Sequence, residues 1–382
     1  MAEYKTLVKK ISISPDKKTK QRDYLKKGQL AIVDQGQCIV GGYTNDTSMS
    51  VKCNLPVIVF GDHTRAVKYI TFPFGAGADG IKILQPNENI LPLYLYYGTQ
   101  YVVAKMPNRG YARHYQYVER EDLPVPPLSE QERIVARIEE LFSQLDAGVE
   151  TLKKTKAQLA VYRQAVLTEA FNSAEVDCKM LPIAEILAKT RKGMSTGPFG
   201  TMIKKSDHKA TGVPMLGIEN IGRGQFVDGN KIHVTAEKAE ELKAFSLKAG
   251  DIIISRSGTV GEICAVPERA EGSLLSTNLM RVSLDNTMIR SDYFIALFQS
   301  KGIVLDQIKE LCKGSTRDFL NQTILKQIVF PVPSMEKQEE IVSIIEARMS
   351  VCDSIEQTVD TALQQAEAMR QSILKDAFEG RL

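Results

Sequence analysis

Leu123-Pro-Val-Pro-Pro-Leu-Ser-Glu-Gln-Glu-Arg-Ile-Val135 returns as Phe330-Pro-Val-Pro-Ser-Met-Glu-Lys-Gln-Glu-Glu-Ile-Val342, 207 residues further along the chain. Held without a gap, the same offset pairs Ile138 with Ile345, Glu139 with Glu346, Asp146 with Asp353, Arg163-Gln164 with Arg370-Gln371, Leu167 with Leu374 and Ala170-Phe171 with Ala377-Phe378. An offset kept this far marks a duplicated structural unit. In each copy the prolines close an extended stretch, and Ser129 or Ser334 stands where it can cap a following segment that is free of proline and rich in Glu, Gln, Lys, Leu and Ala. Each copy therefore predicts a long helix. Along the first, Ile138, Leu145, Leu152, Leu159 and Val166 recur every seven residues, with Leu141 and Tyr162 on neighbouring seam positions and Gly148 and Thr155 interrupting. Along the second, Ile345, Cys352, Val359, Ala366 and Ile373 form a looser seam, small enough for a closely approaching partner, which the first helix supplies. Ser129 to Phe171 is 43 residues. That is about 65 Å of helix at 1.5 Å per residue, comparable to roughly two turns of DNA.

Upstream of each helix lies a non-repetitive block with short β-branched and aromatic runs punctuated by Gly and Pro, such as Pro56-Val-Ile-Val-Phe60, Lys68-Tyr-Ile-Thr-Phe72, Asp251-Ile-Ile-Ile254 and Leu279-Met-Arg-Val282. The expected fold class is α+β: two mixed α/β domains separated by two long antiparallel coiled-coil helices, with pseudo-twofold symmetry. Its segments are residues 1–122 (first domain), 123–175 (first helix), 176–329 (second domain) and 330–382 (second helix). The backbone of duplex DNA also has local twofold symmetry, so two related domains held by such a pair would meet the duplex equivalently, at two half-sites separated by a fixed gap.

Composition excludes more than it selects. Across 382 residues, 49 Lys and Arg face 46 Asp and Glu, so any nucleic-acid surface must come from local clustering. The segment from Met1 to Gly28 does cluster: Lys5, Lys9, Lys10, Lys17, Lys18, Lys20, Arg22, Lys26 and Lys27 face only Glu3, Asp16 and Asp23. It lacks the apolar stretch of a secretory signal, and no later window approaches a membrane span, so a soluble cytoplasmic protein is expected. Cys38, Cys53, Cys178, Cys264, Cys312 and Cys352 stand singly, which supports neither a zinc site nor a disulfide framework.

Candidate contacts fall into groups. Near its end each domain carries a basic residue, a glycine and an arginine three residues past it, Arg109-Gly110-Tyr-Ala-Arg113 and Lys313-Gly314-Ser-Thr-Arg317, at an offset of 204. A glycine that admits close backbone approach beside a guanidinium suits phosphate or base-edge contact. A polar turn with one structural arginine would read the same way. His63, Thr64 and Arg65 follow one apolar run, with Lys68 in the next. Arg256, Ser257 and Thr259 follow another, placing donors at strand ends where a binding face would be built. Lys204 and Lys205 beyond Gly197-Pro-Phe-Gly200, Asn220, and Lys26, Lys27, Gln35 and Gln37 complete the candidate DNA-contacting set. Solvated surface is the bland reading for any single lysine among them.

Catalytic signals are missing. Gly75-Ala-Gly77-Ala-Asp-Gly80 matches the dinucleotide fingerprint letter for letter, but Ile81-Lys-Ile-Leu84 continues as strand and no acid follows near Tyr96 to Gln100. There is no Walker loop, Gly-x-Ser-x-Gly elbow, His-Glu-x-x-His pair or Asn-Pro-Pro-aromatic motif, and His63, His114, His208 and His233 are not paired at ligand spacing. No catalytic residue, cofactor or metal site is expected in this chain.

The chain resembles the specificity subunits of type I restriction-modification systems over nearly its whole length. The resemblance rests on the two Pro-Val-Pro…Gln-Glu-x-Ile-Val helix starts, the Ala170-Phe171 and Ala377-Phe378 exits, and the segments Gly197–Gly200, Gly250-Asp-Ile-Ile-Ile-Ser-Arg-Ser-Gly258 and Gly61-Asp-His-Thr-Arg65. It implies two target-recognition domains, each reading half of a bipartite, asymmetric DNA sequence, with the helices setting the gap. It further implies assembly with two copies of a modification subunit that methylates a flipped-out adenine with S-adenosylmethionine, and with an ATP-driven restriction and translocase subunit; S-adenosylmethionine, ATP and Mg would sit on those partners. The opening departs from many relatives, a Trp-containing strand being reduced to Tyr4-Lys-Thr-Leu7, so a trimmed first domain is expected. Two rival readings stand beside this one. A coiled-coil scaffold with two protein-binding domains would show no salt-dependent DNA affinity, and a free-standing nuclease or methyltransferase would need motifs the sequence lacks.

Overall fold

The computed structural model describes the chain except for residues 78–79, 108–109, 111, 173–177, 259, 301 and 312–319. Its compact units do not follow the linear order of segments. One comprises Met1–Lys154 with Val359–Leu382, the other Thr155–Thr358. The reason is that the two long helices, Leu128–Asn172 and Met335–Phe378, are each shared between units.

In the first unit a four-stranded antiparallel sheet runs in the order Val8–Ile11, Ile81–Pro86, Val57–Gly61, Val67–Ile70. Alternation sends its side chains to two cores. Ile58, Phe60 and Leu84 pack toward the helix Pro92–Lys105 and the long helices, whereas Val57, Val59, Ile70 and Ile83 pack with Val33, Phe74 and Ala76 of a second sheet. That second sheet orders Lys18–Thr19, Phe74–Gly77, Leu30–Val33 and Gly42–Thr44. Gly75 and Gly77 of the dinucleotide-like stretch thus lie within a strand, and a Cβ at Gly77 would fall 2.5 Å from Asp34 Cβ and the Tyr24 hydroxyl, so close strand packing explains the glycine. Tyr4 is wholly buried and shares a 2.6 Å hydrogen bond with Thr99, so this segment fills the core.

The second unit repeats this plan. Its central sheet orders Met194–Thr196, Leu279–Val282, Ile252–Ser255, Ile263–Ala265. Ile252, Ile254, Ile263, Met280 and Val282 face the helical side, and Ile253, Cys264 and Leu279 the other.

The repeated glutamine explains itself at the helix starts. Gln131 is fully buried: the Leu91 N–H donates to its Oε1 (2.8 Å), and its Nε2 donates to the carbonyls of Asn89 (3.1 Å) and Pro126 (2.9 Å). Gln338, equally buried, takes the Arg290 N–H (2.8 Å) and donates to Met288 (2.9 Å) and Pro333 (3.0 Å). Tyr94 and Tyr293 donate to Pro124 (3.0 Å) and Pro331 (3.1 Å) in the same pattern. One amide therefore satisfies three backbone groups that burial would otherwise leave unpaired. The capping expectation holds only for Ser334, whose Oγ accepts from the Lys337 N–H (3.3 Å). Ser129 lies inside its helix, and the position equivalent to Ser334 is Pro127, whose carbonyl accepts from Glu130 and Gln131.

Within each unit the two helices run antiparallel. In the first, Arg133 donates to the Leu382 carbonyl (3.2 Å) while Arg370, further back along its helix, pairs with Asp146 and lies 4.2 Å from the Phe142 ring centre. In the second, Arg163 pairs with Asp353 (2.6 Å) and Arg348 with Glu169. Arg163–Asp353 and Asp146–Arg370 are the same pair under the 207 offset, with the helices exchanged. Exits exchange too: Phe378 packs against Tyr94 (4.9 Å) and stacks on Tyr101 (5.4 Å), and Phe171 meets Tyr293 edge-on (5.6 Å). The second helix's seam, expected to be the looser, is buried at Ile345, Cys352, Val359 and Ala366, because small side chains let the partner approach. Tyr162, by contrast, is 48% exposed and lies off the seam.

Candidate nucleic-acid interface

The strand Val57–Gly61 is buried along its length and delivers the chain to Asp62. Asp62 is buried, and four residues converge on it. Its N–H donates to the Gly80 carbonyl (2.6 Å); its carbonyl accepts from the His114 N–H (2.9 Å) and lies 3.0 Å from His114 Nδ1. Its carboxylate accepts from the Tyr115 N–H (2.9 Å) and lies 3.4 Å from Lys82. One residue thus ties three loops together at the strand's end. His63 Nδ1 lies 3.2 Å from the Ala112 carbonyl, and the Thr64 hydroxyl donates to the Gln35 carbonyl. Beside them, Gln35 Oε1 is buried with no hydrogen-bond partner among the described residues. Gln37 is exposed on the same connection between Leu30–Val33 and Gly42–Thr44, and Arg113 is exposed next to His114. Lys10, Lys18 and Lys82 line a nearby cleft of about 160 Å³, and Lys10 lies 5.7 Å from the Tyr115 ring centre, so part of the basic opening segment reaches this end.

The second unit builds the same frame from different residues. Strand Ile252–Ser255 delivers Arg256, whose N–H donates to the Asn278 carbonyl (2.9 Å) and whose carbonyl accepts from the Leu320 N–H (3.0 Å). These are the counterparts of Asp62 to Gly80 and of His114 to Asp62. A third bond, Arg65 N–H to Gly61 carbonyl (2.8 Å), matches Gly261 to Ser255 (3.1 Å). The frame aligns His114 with Leu320, an offset of 206, two more than the 204 of the paired arginine devices. Arg256 donates from Nε to the Leu320 carbonyl and from Nη1 to the Thr277 carbonyl, both at 3.2 Å, and partial burial lowers its pKa. Ser257 donates to Asn278 Oδ1 (3.2 Å), and Thr277 donates to the Pro198 carbonyl (2.6 Å). A Cβ at Gly197 would collide with the Ser276 carbonyl, so the Gly197–Gly200 loop is held against the frame only because that residue is glycine. The loop presents Phe199, 65% exposed, with Lys204 and Lys205 following in the open.

The structure therefore brings together Gln35, His63, Thr64 and Arg113 in one unit, with Gln37 exposed two residues past Gln35, and Arg256 and Ser257 in the other, beside the Gly197–Gly200 loop that Lys204 and Lys205 follow. Five candidates, Lys68, Asn220, Lys26, Lys27 and Arg65, are placed elsewhere or otherwise engaged. Lys68 is buried; it donates to the Asp34 carbonyl (2.8 Å) and lies 3.6 Å from its carboxylate, while burial lowers its pKa against the pull of Asp34. Its role is to support the Asp34–Gln37 turn from beneath. Asn220 is fully buried, accepting from the Gly217 N–H (2.9 Å) and donating to Val227 (3.0 Å) and Gly229 (3.1 Å), a loop knot with no outward face. Lys26 and Lys27 precede the strand Leu30–Val33, whereas Gln35 follows it, which puts them at its opposite end, about 13 Å away at 3.3 Å per residue. Arg109, Thr259, Lys313 and Arg317 lie outside the described residues. Arg65 has φ of 59° and turns its Nη1 to the Met106 carbonyl (3.3 Å). Phe199, an exposed aromatic between two glycines, stands on the Gly197–Gly200 loop outside the candidate set; side chains of this kind can stack on or wedge between bases. Among the described residues no group of His, Cys, Asp or Glu is placed to hold a metal, and no helix is long and apolar enough to cross a membrane.

Comparison with known proteins adds a likeness. The model for the type I restriction modification DNA specificity domain matches residues 197–365. This stretch is similar to that domain. It contains the Gly197–Gly200 loop, the Arg256 frame and much of the second helix. The wider chain is similar to the type I restriction enzyme EcoBI specificity subunit of Escherichia coli, 27% identical over 68% of this chain and 58% of that subunit. It is also similar to the EcoR124I/EcoR124II specificity subunit of Escherichia coli, 24% identical over 88% of this chain and 83% of that one. The chain spans 58% of the length of the EcoBI subunit it matches. A solved chain from a study of assembly and conformational transition in the type I R-M system covers all of this chain and 97% of itself, at a TM-score of 0.69 and 17% identity, so the fold of that chain is shared.

Proposed function

We propose that this chain is the DNA-recognition subunit of a type I restriction-modification enzyme, a non-catalytic protein in which each unit reads one half of a bipartite target. The observation that carries the reading is the duplicated frame. The same three backbone bonds at the end of a buried strand present amide, imidazole and hydroxyl groups in one unit, and guanidinium, hydroxyl and aromatic groups in the other. Groups of these kinds, offered by loops on a rigid strand end, are the donors and acceptors that phosphates and base edges require. The antiparallel helices set the gap between halves, and their exposed faces dock two modification subunits and a restriction and translocase subunit, with S-adenosylmethionine, ATP and Mg bound by those partners. The complex works on cytoplasmic DNA.

Methylation mapping tests this directly. Genomic DNA from cells carrying the chain with its modification subunit is compared with DNA from cells lacking only this chain. The expected result is a bipartite methylated motif that vanishes on deletion; an unchanged methylome would return the scaffold reading.

A further inference from the structure

The hairpin of Ile221–Gly222 and Gln225–Phe226 turns through two residues, Arg223 and Gly224, with φ of 48° and 81°. Positive φ at both central positions is the type I′ turn, whose first position favours Asn, Asp or Gly because other side chains crowd the backbone there. Arginine is a poor choice by local rules. Among the described residues, Arg65 and Arg223 are the two non-glycine residues with positive φ. A residue held against its backbone preference is retained for what its side chain does.

The guanidinium of Arg223 donates to both carboxylate oxygens of Glu356 on the second long helix, at 2.8 and 3.3 Å. Glu356 is only 18% exposed and also receives Arg163 of the first long helix at 3.1 Å, with Lys156 at 3.9 Å. Arg163 in turn holds Asp353 at 2.6 Å. One carboxylate thus joins the hairpin tip to both helices of its unit. Beside it, Gly224 lies against the Gln299 side chain, and Gln164 of the first helix donates to the Gln299 carbonyl (3.3 Å). The other unit has no such carboxylate at the matching place: Val149 stands where Glu356 does under the 207 offset.

We propose that Arg223 is a positioning residue that latches the second recognition domain to the spacer helices through Glu356 and so narrows the gap length accepted between half-sites. This rests on the DNA-recognition reading above. The latch acts on where the second domain stands, not on which bases it reads.

The test uses the complete complex of this chain with its modification subunits and measures binding to duplexes carrying both half-sites at gaps one base pair shorter, equal or longer. Arg223→Asn is the decisive variant, because asparagine suits the type I′ position and removes the guanidinium. Its discrimination between the preferred gap and its neighbours is expected to fall about three- to fivefold, with both half-sites still required and thermal stability kept or raised. Arg223→Lys, which keeps the charge, is expected to recover part of the discrimination. Unchanged gap selectivity in Arg223→Asn overturns the proposal, as does a loss of thermal stability or of half-site identity, which would make Arg223 an ordinary structural residue. If the wild-type complex selects no bipartite duplex at all, the recognition reading itself falls, and the latch with it.

Discussion

Asp62 and Arg256 occupy the same place in the two units, yet one is an acid and the other a base. Each receives the chain from a buried strand, donates its N–H to one loop and accepts from another. Asp62 then gathers Tyr115 and Lys82 onto its carboxylate, whereas Arg256 hands its guanidinium to two carbonyls. The difference shows that the frame is a property of the backbone, which leaves side chains free to diverge. A protein built this way can hold its geometry while changing what it recognises, because backbone bonds position and side chains specify.

The largest effects should come from the features that make the units equivalent. Gln131→Leu and Gln338→Leu each strip the partners from three buried backbone groups, and each is expected to cost about 3 kcal/mol or more in denaturant unfolding. Costs differing by much more than about 1 kcal/mol would break the equivalence, since the two amides have matching partners. Asp62→Ala and Arg256→Ala probe the frames separately. Each is expected to weaken binding about tenfold or more by loosening the loops of its own half, with the loss confined to one half-site in a competition assay on half-randomised duplexes. A loss spread over both halves would mean the frames do not act independently. Arg113→Ala, on an exposed residue beside the first frame, should lower affinity by about three- to tenfold and leave the melting temperature unchanged; undiminished affinity would remove it from the interface.

The smallest effect concerns pH. The Arg223 hydrogen bond, with further help from Arg163, holds the Glu356 carboxyl below its ordinary value of 4.5. A carboxyl lowered on folding contributes stability that is fully present above its ordinary value and is lost as pH falls through the lowered one. The advantage of the wild type over Glu356→Gln should therefore be constant near neutrality and vanish in acid melts. For a pair this close to solvent it should stay at or below about 1 kcal/mol. An advantage that grows in acid would show that the arginines do not hold this carboxylate.

How much of this was legible in the sequence follows from where each signal resides. The helices, their pairing and the paired domains announced themselves because the 207 offset is written in side chains. The frame did not, since its bonds run between N–H and carbonyl groups that every residue carries; Asp62 and Arg256 would never be aligned by identity. Lys68 looked like Lys204 in sequence, and only burial against Asp34 separates them. Asn220 shows in the sequence only an amide, and in the fold that amide is occupied by its own loop. The seam of the second helix is built of small residues, and Cys352 and Ala366 gain the burial that close approach of a partner gives them. Arg223 carried a signal of its own, an arginine between two glycines, which becomes readable once the turn's dihedral angles are known.

The exchange of helix exits has a consequence for synthesis. Tyr94 and Tyr101 belong to the part of the chain made first, but the ring that covers them, Phe378, arrives 277 residues after Tyr101. At ribosomal speeds of about 5–20 residues per second that is a wait of roughly 14–55 s with an apolar face uncovered. The second unit waits for nothing of the kind, because Phe171 is made before Tyr293. A nascent chain interrupted before its last helical turns would therefore carry a finished second core beside an unfinished first one, and the surface it offered to chaperones and proteases would be that of the half translated earliest.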